Sequence, residues 1–463
     1  MNKKMTYDIN ECPPINRWII LALQHVFAMF GATILVPILV NSAAGAEVLT
    51  IPVALVASGI GTLIYIICTK AKSPVYLGSS FAFIVPIAAA YTKGGISGAM
   101  TGIMAVGLVY VLVAIIIKIC GKNWLDKLLP PIVIGPMIMI IGLGLAPSAI
   151  SQIGLSSGTD LDTNVLIVAL VSFLVTALVM TRAKGFLKII PFLVGIISGY
   201  IMACILGMVD FKPVIDAKWI DVPKFVIPFK DYNLNFVALI TIVPIALVTL
   251  CEHIGDHTSL SNIIGKDLLK DPGLDRTLLG DGIATFVAGF IGGPANTTYG
   301  ENTSVVGMTK VASVKVIGLA AIFAIILGFF GKFTALVSTI PNAVLGGVSL
   351  LLYGFIAVNG LKVLIKNQVD FENSKNIIVA SSMLVLGLGG AAIAITSGDL
   401  SLTISGMSLA SIVGILLNLF LKDDTLEEEI ATLSPEDTEI LKLMINDYKN
   451  NLKTTKKKNR KEE

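Results

Sequence analysis

Charge is scarce in this chain. Asp, Glu, Lys and Arg make up 14% of its 463 residues, against about 25% in an ordinary globular domain. Disordered, collagenous and coiled-coil chains do not combine so few charges with so many scattered glycines and aliphatic residues. Histidine, with three residues, and cysteine, with five, are also sparse. Cys12, Cys68, Cys120, Cys204 and Cys251 are odd in number and match no metal or redox spacing, so they read as reduced and packed. There is no metal-ligand spacing, no nucleophile–base motif and no soluble domain large enough for a cofactor. An enzyme, a bound metal, a cofactor and a nucleic-acid partner are therefore not expected. A cleavable signal peptide is not expected either, because residues 1–16 are polar and lead into an apolar stretch too long for one.

What is abundant is apolar sequence, 55% of the chain, with a mean hydropathy of +0.85. It comes in long runs rather than alternating, which argues against a transmembrane β-barrel. Clear runs begin near Trp18, Leu49, Ala99, Pro130, Val165, Ile189, Phe236, Val316, Leu336, Asn376 and Leu400. Two shorter, interrupted stretches, 75–90 and 296–310, and one at 279–291 with Asp281 near its start, complete the candidates. At ~20 apolar residues per span, the fold class is an all-α polytopic membrane protein of about 14 segments. Basic residues such as Lys70, Lys72, Lys118, Arg182, Lys266, Arg276, Lys315 and Lys366 crowd the loops on one side. Only Lys93, Lys212, Lys218, Lys224, Lys230 and Lys332 fall on the other. The positive-inside rule then expects both termini in the cytoplasm.

The tail from Lys422 holds 9 of the 34 basic and 11 of the 31 acidic residues and reads as a soluble segment. Ser434-Pro435 resembles a helix start, with Ile440, Leu443, Met444 and Tyr448 following at helical spacing. The basic run at 456–461 suits either anionic lipid at the cytoplasmic face or plain solvation.

The membrane pattern breaks at matching places in two halves that divide near 228–233. The third span of one half holds Leu77-Gly78-Ser79-Ser80-Phe81-Ala82-Phe83, and that of the other holds Thr297-Thr298-Tyr299-Gly300-Glu301-Asn302. Both are too short and polar for a lipid-facing helix. Extended backbone inside a membrane must be buried in protein or line a cavity. Two such strands are expected to pair, with half-helices pointing free N–H groups at a polar ligand. Seven spans per half make the repeats inverted. The first spans match as well, one with Gln24-His25 and the other with Glu252-His253.

Three acids lie deep in apolar sequence: Glu252, Asp256 and Glu301. Each should face a cavity or carry a proton. Glu252 and Asp256 share one helix face at a spacing of four. Carboxylates that close do not both ionise easily, so the pair suits taking up and releasing one proton. Asp256 has a second reading, as a hydrated group at the cytoplasmic end of its helix. His25 and His253 are either packing residues or parts of the site. His257, nearer the loop, receives no role.

At these residues the chain resembles the nucleobase–cation symporters of the nucleobase–ascorbate transporter family, most closely their bacterial uracil-permease branch. The resemblance runs from Ile15 to Leu421. It is carried by Gln24-His25 and the residues on to Thr33, by Gly78-Ser79-Ser80-Phe81, by Glu252-His253-Ile254-Gly255-Asp256-His257, and by Asn296-Thr297-Thr298-Tyr299-Gly300-Glu301-Asn302 on to Thr309-Lys310. It implies two inverted seven-segment repeats in which segments 3 and 10 each contain a short strand. A core domain would comprise residues 17–127 and 234–334. A gate domain, 128–233 and 335–421, would also form a homodimer. The regions 1–16 and 422–463 would be cytoplasmic.

The resemblance further implies that Glu252 accepts the ring N–H groups of uracil and that Glu301 adds a polar contact or joins proton coupling with Asp256. Backbone N–H groups near Phe81 and Gly300 would meet the ring carbonyls, with Phe81 stacking and Ser80 beside it. Gln24, His25, His253, Tyr299 and Asn302 would support the site. The implied function is proton-coupled uracil import across a bacterial cytoplasmic (inner) membrane, with membrane lipid as the surroundings and sodium not excluded as the coupling ion. A xanthine, purine or ascorbate carrier of the same fold, and a passive nucleobase channel, are the alternatives. Two positions depart from the family pattern. Ser304 stands where a Gly is usual, and Asp256 stands where one branch has a histidine. Glu301, where purine branches more often show Gln, favours uracil.

Overall fold

The computed structural model describes residues 5–421 except 159, 237, 398 and 399, and omits the side chains of 186, 189 and 394–405. The helix expected after Ser434 and the basic run at 456–461 lie outside the described residues, as do Lys3 and Lys4.

Helices dominate. Those of ten residues or more among the described residues are α1 (Ile15–Ala44), α2 (Ile51–Cys68), α3 (Ile84–Cys120), α4 (Pro131–Gly144), α5 (Thr163–Arg182), α6 (Pro191–Ile205), α7 (Ile245–Ile264), α8 (Leu274–Phe290), α9 (Gly300–Thr309), α10 (Val314–Gly328), α11 (Asn342–Lys366), α12 (Ser374–Leu388) and α13 (Gly406–Phe420). Their ends follow local chemistry. Prolines open α2, α4 and α6 within the first two positions, where no helical N–H is lost. The Asp162 carboxylate accepts from the N–H groups of Asn164 and Val165 to cap α5. Gly45 and Gly265 close α1 and α7 in the left-handed conformation. Seven helical stretches are long and apolar enough to cross a membrane, and α6, α10, α12 and α13 are shorter apolar helices.

The two halves pack alike. α2 lies against α10, and α3 lies against α8 in the corresponding place of the other half. α5 and α6 pair in one half as α12 and α13 do in the other, while α4 crosses α11 between them. Small residues permit these crossings. A methyl group on Gly107 of α3 would sit 2.6 Å from the Gly282 carbonyl oxygen of α8, and one on Gly360 of α11 would sit 2.5 Å from that of Gly135 in α4. α3 breaks at Gly95, whose φ of 60° and ψ of −159° leave the helical region, so one long helix serves as two segments.

Between the halves, β1 (Leu77–Ser79) pairs antiparallel with β2 (Asn296–Thr298), with Gly78 opposite Thr297. The expected paired strands are present, one in each broken span. Two boundaries differ from the sequence reading. The run from Leu336 is divided at Pro341, which ends the short helix Gly331–Ser338 and precedes α11. The run from Leu400 begins as a strand. Strands β3 (Ala392–Ser397) and β4 (Leu400–Ser405) form a hairpin, and the helix starts only at Gly406. Apolar residues alternate there with Ala, Ser and Thr, the period-two pattern of a strand, which a count of hydrophobicity passes over.

Candidate functional site

The strand pair is anchored on both sides by hydroxyls. Ser58 and Thr62 of α2 donate to the Leu77 carbonyl at 2.8 and 3.2 Å, and the Thr62 hydroxyl accepts from Leu77 N–H at 3.0 Å. Thr285 of α8 donates to the Asn296 carbonyl at 3.1 Å. Buried extended backbone has its polar groups satisfied by protein, as a membrane interior requires. The ladder continues one step at each end: Ser80 N–H to the Ala295 carbonyl, and Tyr299 N–H to that of Tyr76.

Tyr299 braces the pair. Its hydroxyl donates to the Ser79 carbonyl at 3.0 Å and lies 3.1 Å from Thr33 Oγ1 of α1. Its ring occupies the space a side chain at position 78 would need. Beyond the strands, the chain turns into the short helix Phe81–Phe83 on one side and α9 on the other. The N–H groups of Phe81 and Gly300, first residues of those helices, have no carbonyl of their own helix within reach. Two positive helix ends therefore sit beside the strand tips.

α7 packs along this feature and supplies the acids. The Asp256 carboxylate accepts from Thr298 Oγ1 at 2.6 Å, the last residue of β2, and its other oxygen lies near Gly300. Asp256 is thus tied to the strand tip, not left hydrated at a helix end. Glu252, one turn earlier, is half-buried and has no hydrogen-bond partner among the described residues. Glu301 turns its carboxylate towards its own N–H in the first turn of α9. The three acids lie within electrostatic reach of one another. The Phe81–Phe83 turn also packs on α7, which brings Phe81 to the same place.

α1 closes another side. Asn302 Nδ2 donates to His25 Nδ1 at 3.0 Å and to the His25 carbonyl at 3.1 Å. In the neutral ring, Nε2 then carries the proton. Gln24 Oε1, Ser80 Oγ and Asn302 Oδ1 are buried without a hydrogen-bond partner. Buried polar atoms are rarely left so, and three on the elements around the acids suit a polar ligand. Ser304 lies on the exposed side of α9 with its hydroxyl turned back to the Gly300 carbonyl.

His253 faces elsewhere. Its Nδ1–H donates to Asp281 Oδ2 of α8 at 2.9 Å, and both side chains are fully buried. His257 is also fully buried. Its Nδ1–H donates to the His253 carbonyl at 2.8 Å, its Nε2 meets the Tyr65 hydroxyl at 2.5 Å, and its ring stacks on that of His253. The Tyr65 oxygen is 2.9 Å from Ser73 Oγ. A continuous polar chain therefore runs from α8 through α7 to α2 behind the acids. In the sequence His257 has no role and Tyr65 no distinguishing signal, while Thr298 and Thr33 fall in the motif segments without a role of their own. Asp281, flanked by Gly280 and Gly282 in an apolar run, carries a visible signal in the sequence, a lone acid in an apolar span.

The arrangement offers carboxylate acceptors beside backbone N–H donors, at a break between two halves of a membrane bundle. Comparison with known proteins shows the family and the fold. The permease family matches residues 16–396. The uracil permease of Bacillus subtilis (strain 168) is 48% identical over 428 residues, covering 90% of this chain and 96% of its own. Those of Bacillus caldolyticus and Escherichia coli (strain K12) are 49% and 42% identical, over 91% and 93% of this chain and 95% and 98% of theirs. Among solved structures, the transmembrane domain of the cyanobacterial bicarbonate transporter BicA aligns with a TM-score of 0.59 over 89% of this chain and 99% of that one. The murine Slc26a9 anion transporter in its inward-facing state aligns with a TM-score of 0.64 over 89% and 68%. Both are 14% identical, so they speak for the fold alone. The chain belongs to the permease family, the nucleobase–ascorbate transporters its motifs resemble, and is a multi-pass membrane transporter rather than an enzyme.

Proposed function

We propose that the protein is a proton-coupled uracil importer of a bacterial cytoplasmic membrane, with both termini inside. The observation that carries this is the half-buried, unpartnered Glu252 on α7, one turn from Asp256, which is tied to the strand tip, on the helix against which the Phe81–Phe83 turn packs. Uracil is a neutral ring with two N–H donors and two carbonyl acceptors. A carboxylate at Glu252 accepts from the ring N–H groups, the two helix ends donate to the carbonyls, and Phe81 stacks on the face. Relatives described as uracil permeases, at 42–49% identity over most of the chain, support that substrate. Asp256 and Glu301, within reach of Glu252's charge, take up the coupling proton. Residues 17–127 and 234–334 then move as a core carrying the base past a gate of 128–233 and 335–421, through which two copies associate.

Labelled-uracil uptake into proteoliposomes, with an inward proton gradient and no sodium, tests this directly. Uracil accumulates, and a protonophore abolishes the accumulation. Uptake of xanthine in place of uracil overturns the substrate. A sodium requirement overturns the coupling ion. Equilibration without accumulation overturns the coupling and leaves a passive pathway.

A further inference from the structure

The N-terminal segment does not hang free. Thr6 N–H donates to the Lys310 carbonyl, Ala312 N–H to that of Tyr7, and Val314 N–H to that of Ile9, at 2.7, 2.9 and 3.0 Å. This strap lies over the connection between α9, which carries Glu301, and α10. Beside it is a cavity of about 360 Å³ lined by the apolar Ile9, Leu63, Ile66, Ala71, Val314 and Gly318 and by the polar Asn10 and Lys315.

Three features identify what fits. The walls are apolar, and the cavity continues an apolar face of α10 at helical spacing: Gly318, then Ile322 at 44% and Ile326 at 58% exposure. In a multi-pass membrane protein such a face meets lipid chains. Lys315 is exposed and has no carboxylate partner among the described residues, and the same holds for Lys70, next to Ala71. The acids nearby are engaged: Asp8 with Lys266, Asp271 with Lys72, and Glu11 with the Asp8 N–H. Glu11 keeps its charge, but Lys315 and Lys70 together outweigh it, so the mouth is net positive. Trp18, whose indole N–H donates to the Lys315 carbonyl at 2.9 Å, is the residue type that settles at a membrane interface.

The geometry points to a binding site for one anionic phospholipid, its acyl chain between α2 and α10 beside the strap and its phosphate at Lys315. The site takes its orientation from the proposed function, which puts Lys315 and Lys70 on the cytoplasmic side. A seated lipid braces the strap against both helices, and through residues 310–314 it steadies the end of α9.

The test is thermal unfolding of the full-length protein in a neutral detergent, titrated with phosphatidylglycerol, phosphatidylcholine or glycerol phosphate, with and without uracil. Phosphatidylglycerol raises the midpoint of the wild type well above the phosphatidylcholine value, and glycerol phosphate leaves it unchanged. Lys315→Gln weakens phosphatidylglycerol binding roughly fivefold, the worth of one lysine near an anionic surface, and Lys315→Arg keeps it. Gly318→Leu, which fills the cavity, removes the shift. If Gly318→Leu does not fold, the two Lys315 variants decide alone. Equal shifts from both lipids, an undiminished shift in Lys315→Gln, or a full shift from glycerol phosphate overturns the site, the last making it a free-phosphate site. The uracil-induced shift is read in the same samples. Its loss with the lipid shift intact refutes the substrate and leaves the lipid site standing.

Discussion

Gly78 is the position at which the paired strands are most easily broken. It lies opposite Thr297, and a methyl group there would fall 2.4 Å from Tyr299 Cε2 and Cζ and 2.7 Å from its hydroxyl. A ring at the surface would swing aside. This one is 3% exposed and held by its bonds to the Ser79 carbonyl and Thr33. In Gly78→Ala the ring must shift, so overpacking costs ~1–3 kcal/mol. Loss of the hydroxyl's contact leaves the Ser79 carbonyl unsatisfied at about 1–3 kcal/mol more. A total of about 2–6 kcal/mol follows if the two add.

The assay is a double-mutant cycle with Tyr299→Leu, measured as unfolding midpoints in detergent alongside uracil binding. Tyr299→Leu alone destabilises, because it removes the hydroxyl and leaves a void. Once the ring is gone, however, the methyl at position 78 has space. The double variant is then more stable than the sum of the singles by more than ~1 kcal/mol, the size typical of residues in contact. Binding falls in Gly78→Ala even though residue 78 bears no side chain to touch a ligand, because the displaced ring pulls Ser79 and Gly300 out of register. Wild-type stability in Gly78→Ala, or strictly additive effects, refutes the assignment of Tyr299 as the brace.

Three further outcomes are specific. Glu252→Gln lowers uracil affinity about ten- to a hundredfold, from ~1.5–3 kcal/mol for a hydrogen bond to a charged group, and calorimetry or a binding filter assay showing wild-type affinity would remove Glu252 from the site. Asp281→Ala strands the Nδ1–H of His253 and destabilises by about 1–3 kcal/mol, while Asp281→Asn, which still presents an oxygen, costs less; equal midpoints for the two would show that the hydrogen bond to His253 does not matter. The hydrogen bond from Lys266 holds the Asp8 carboxyl below its ordinary range, so its small stabilisation is present above the unfolded-state value and is lost as the pH falls through the lowered folded-state value. The pair is half-exposed, so the loss is below about 1 kcal/mol; it should appear as a lower protection factor at the Val314 N–H in acid, and Asp8→Asn should show the lower protection factor at every pH.

Much of the site was legible because membrane sequence is so uniform that exceptions stand out. Gly78-Ser79-Ser80 and Thr297-Thr298-Tyr299-Gly300 interrupt apolar runs, and polar backbone in lipid has few structural solutions. Two interrupted spans in matching halves therefore predict a strand pair, and β1 and β2 form it. Glu252, Asp256 and Glu301 were visible for the same reason. The hairpin at 392–405 was not, because its strands are as apolar as the helices around it and differ only in period.

Partnership is what a local reading misses. His253 and Asp281 are 28 residues apart, and Tyr65 and His257 are 192 apart, so nothing in the neighbourhood of either names the other. The same limit explains His257, which sits in sequence between a polar turn and a loop yet is sealed by α2. Tyr299 marks the boundary between the two kinds of knowledge. A tyrosine in a broken span invites a role at the ligand. Its hydroxyl instead bonds the Ser79 carbonyl and Thr33 and its ring fills the space above Gly78, so its part is to hold the strand pair. The glycine and the tyrosine explain each other, and neither does so until the register sets Gly78 opposite Thr297.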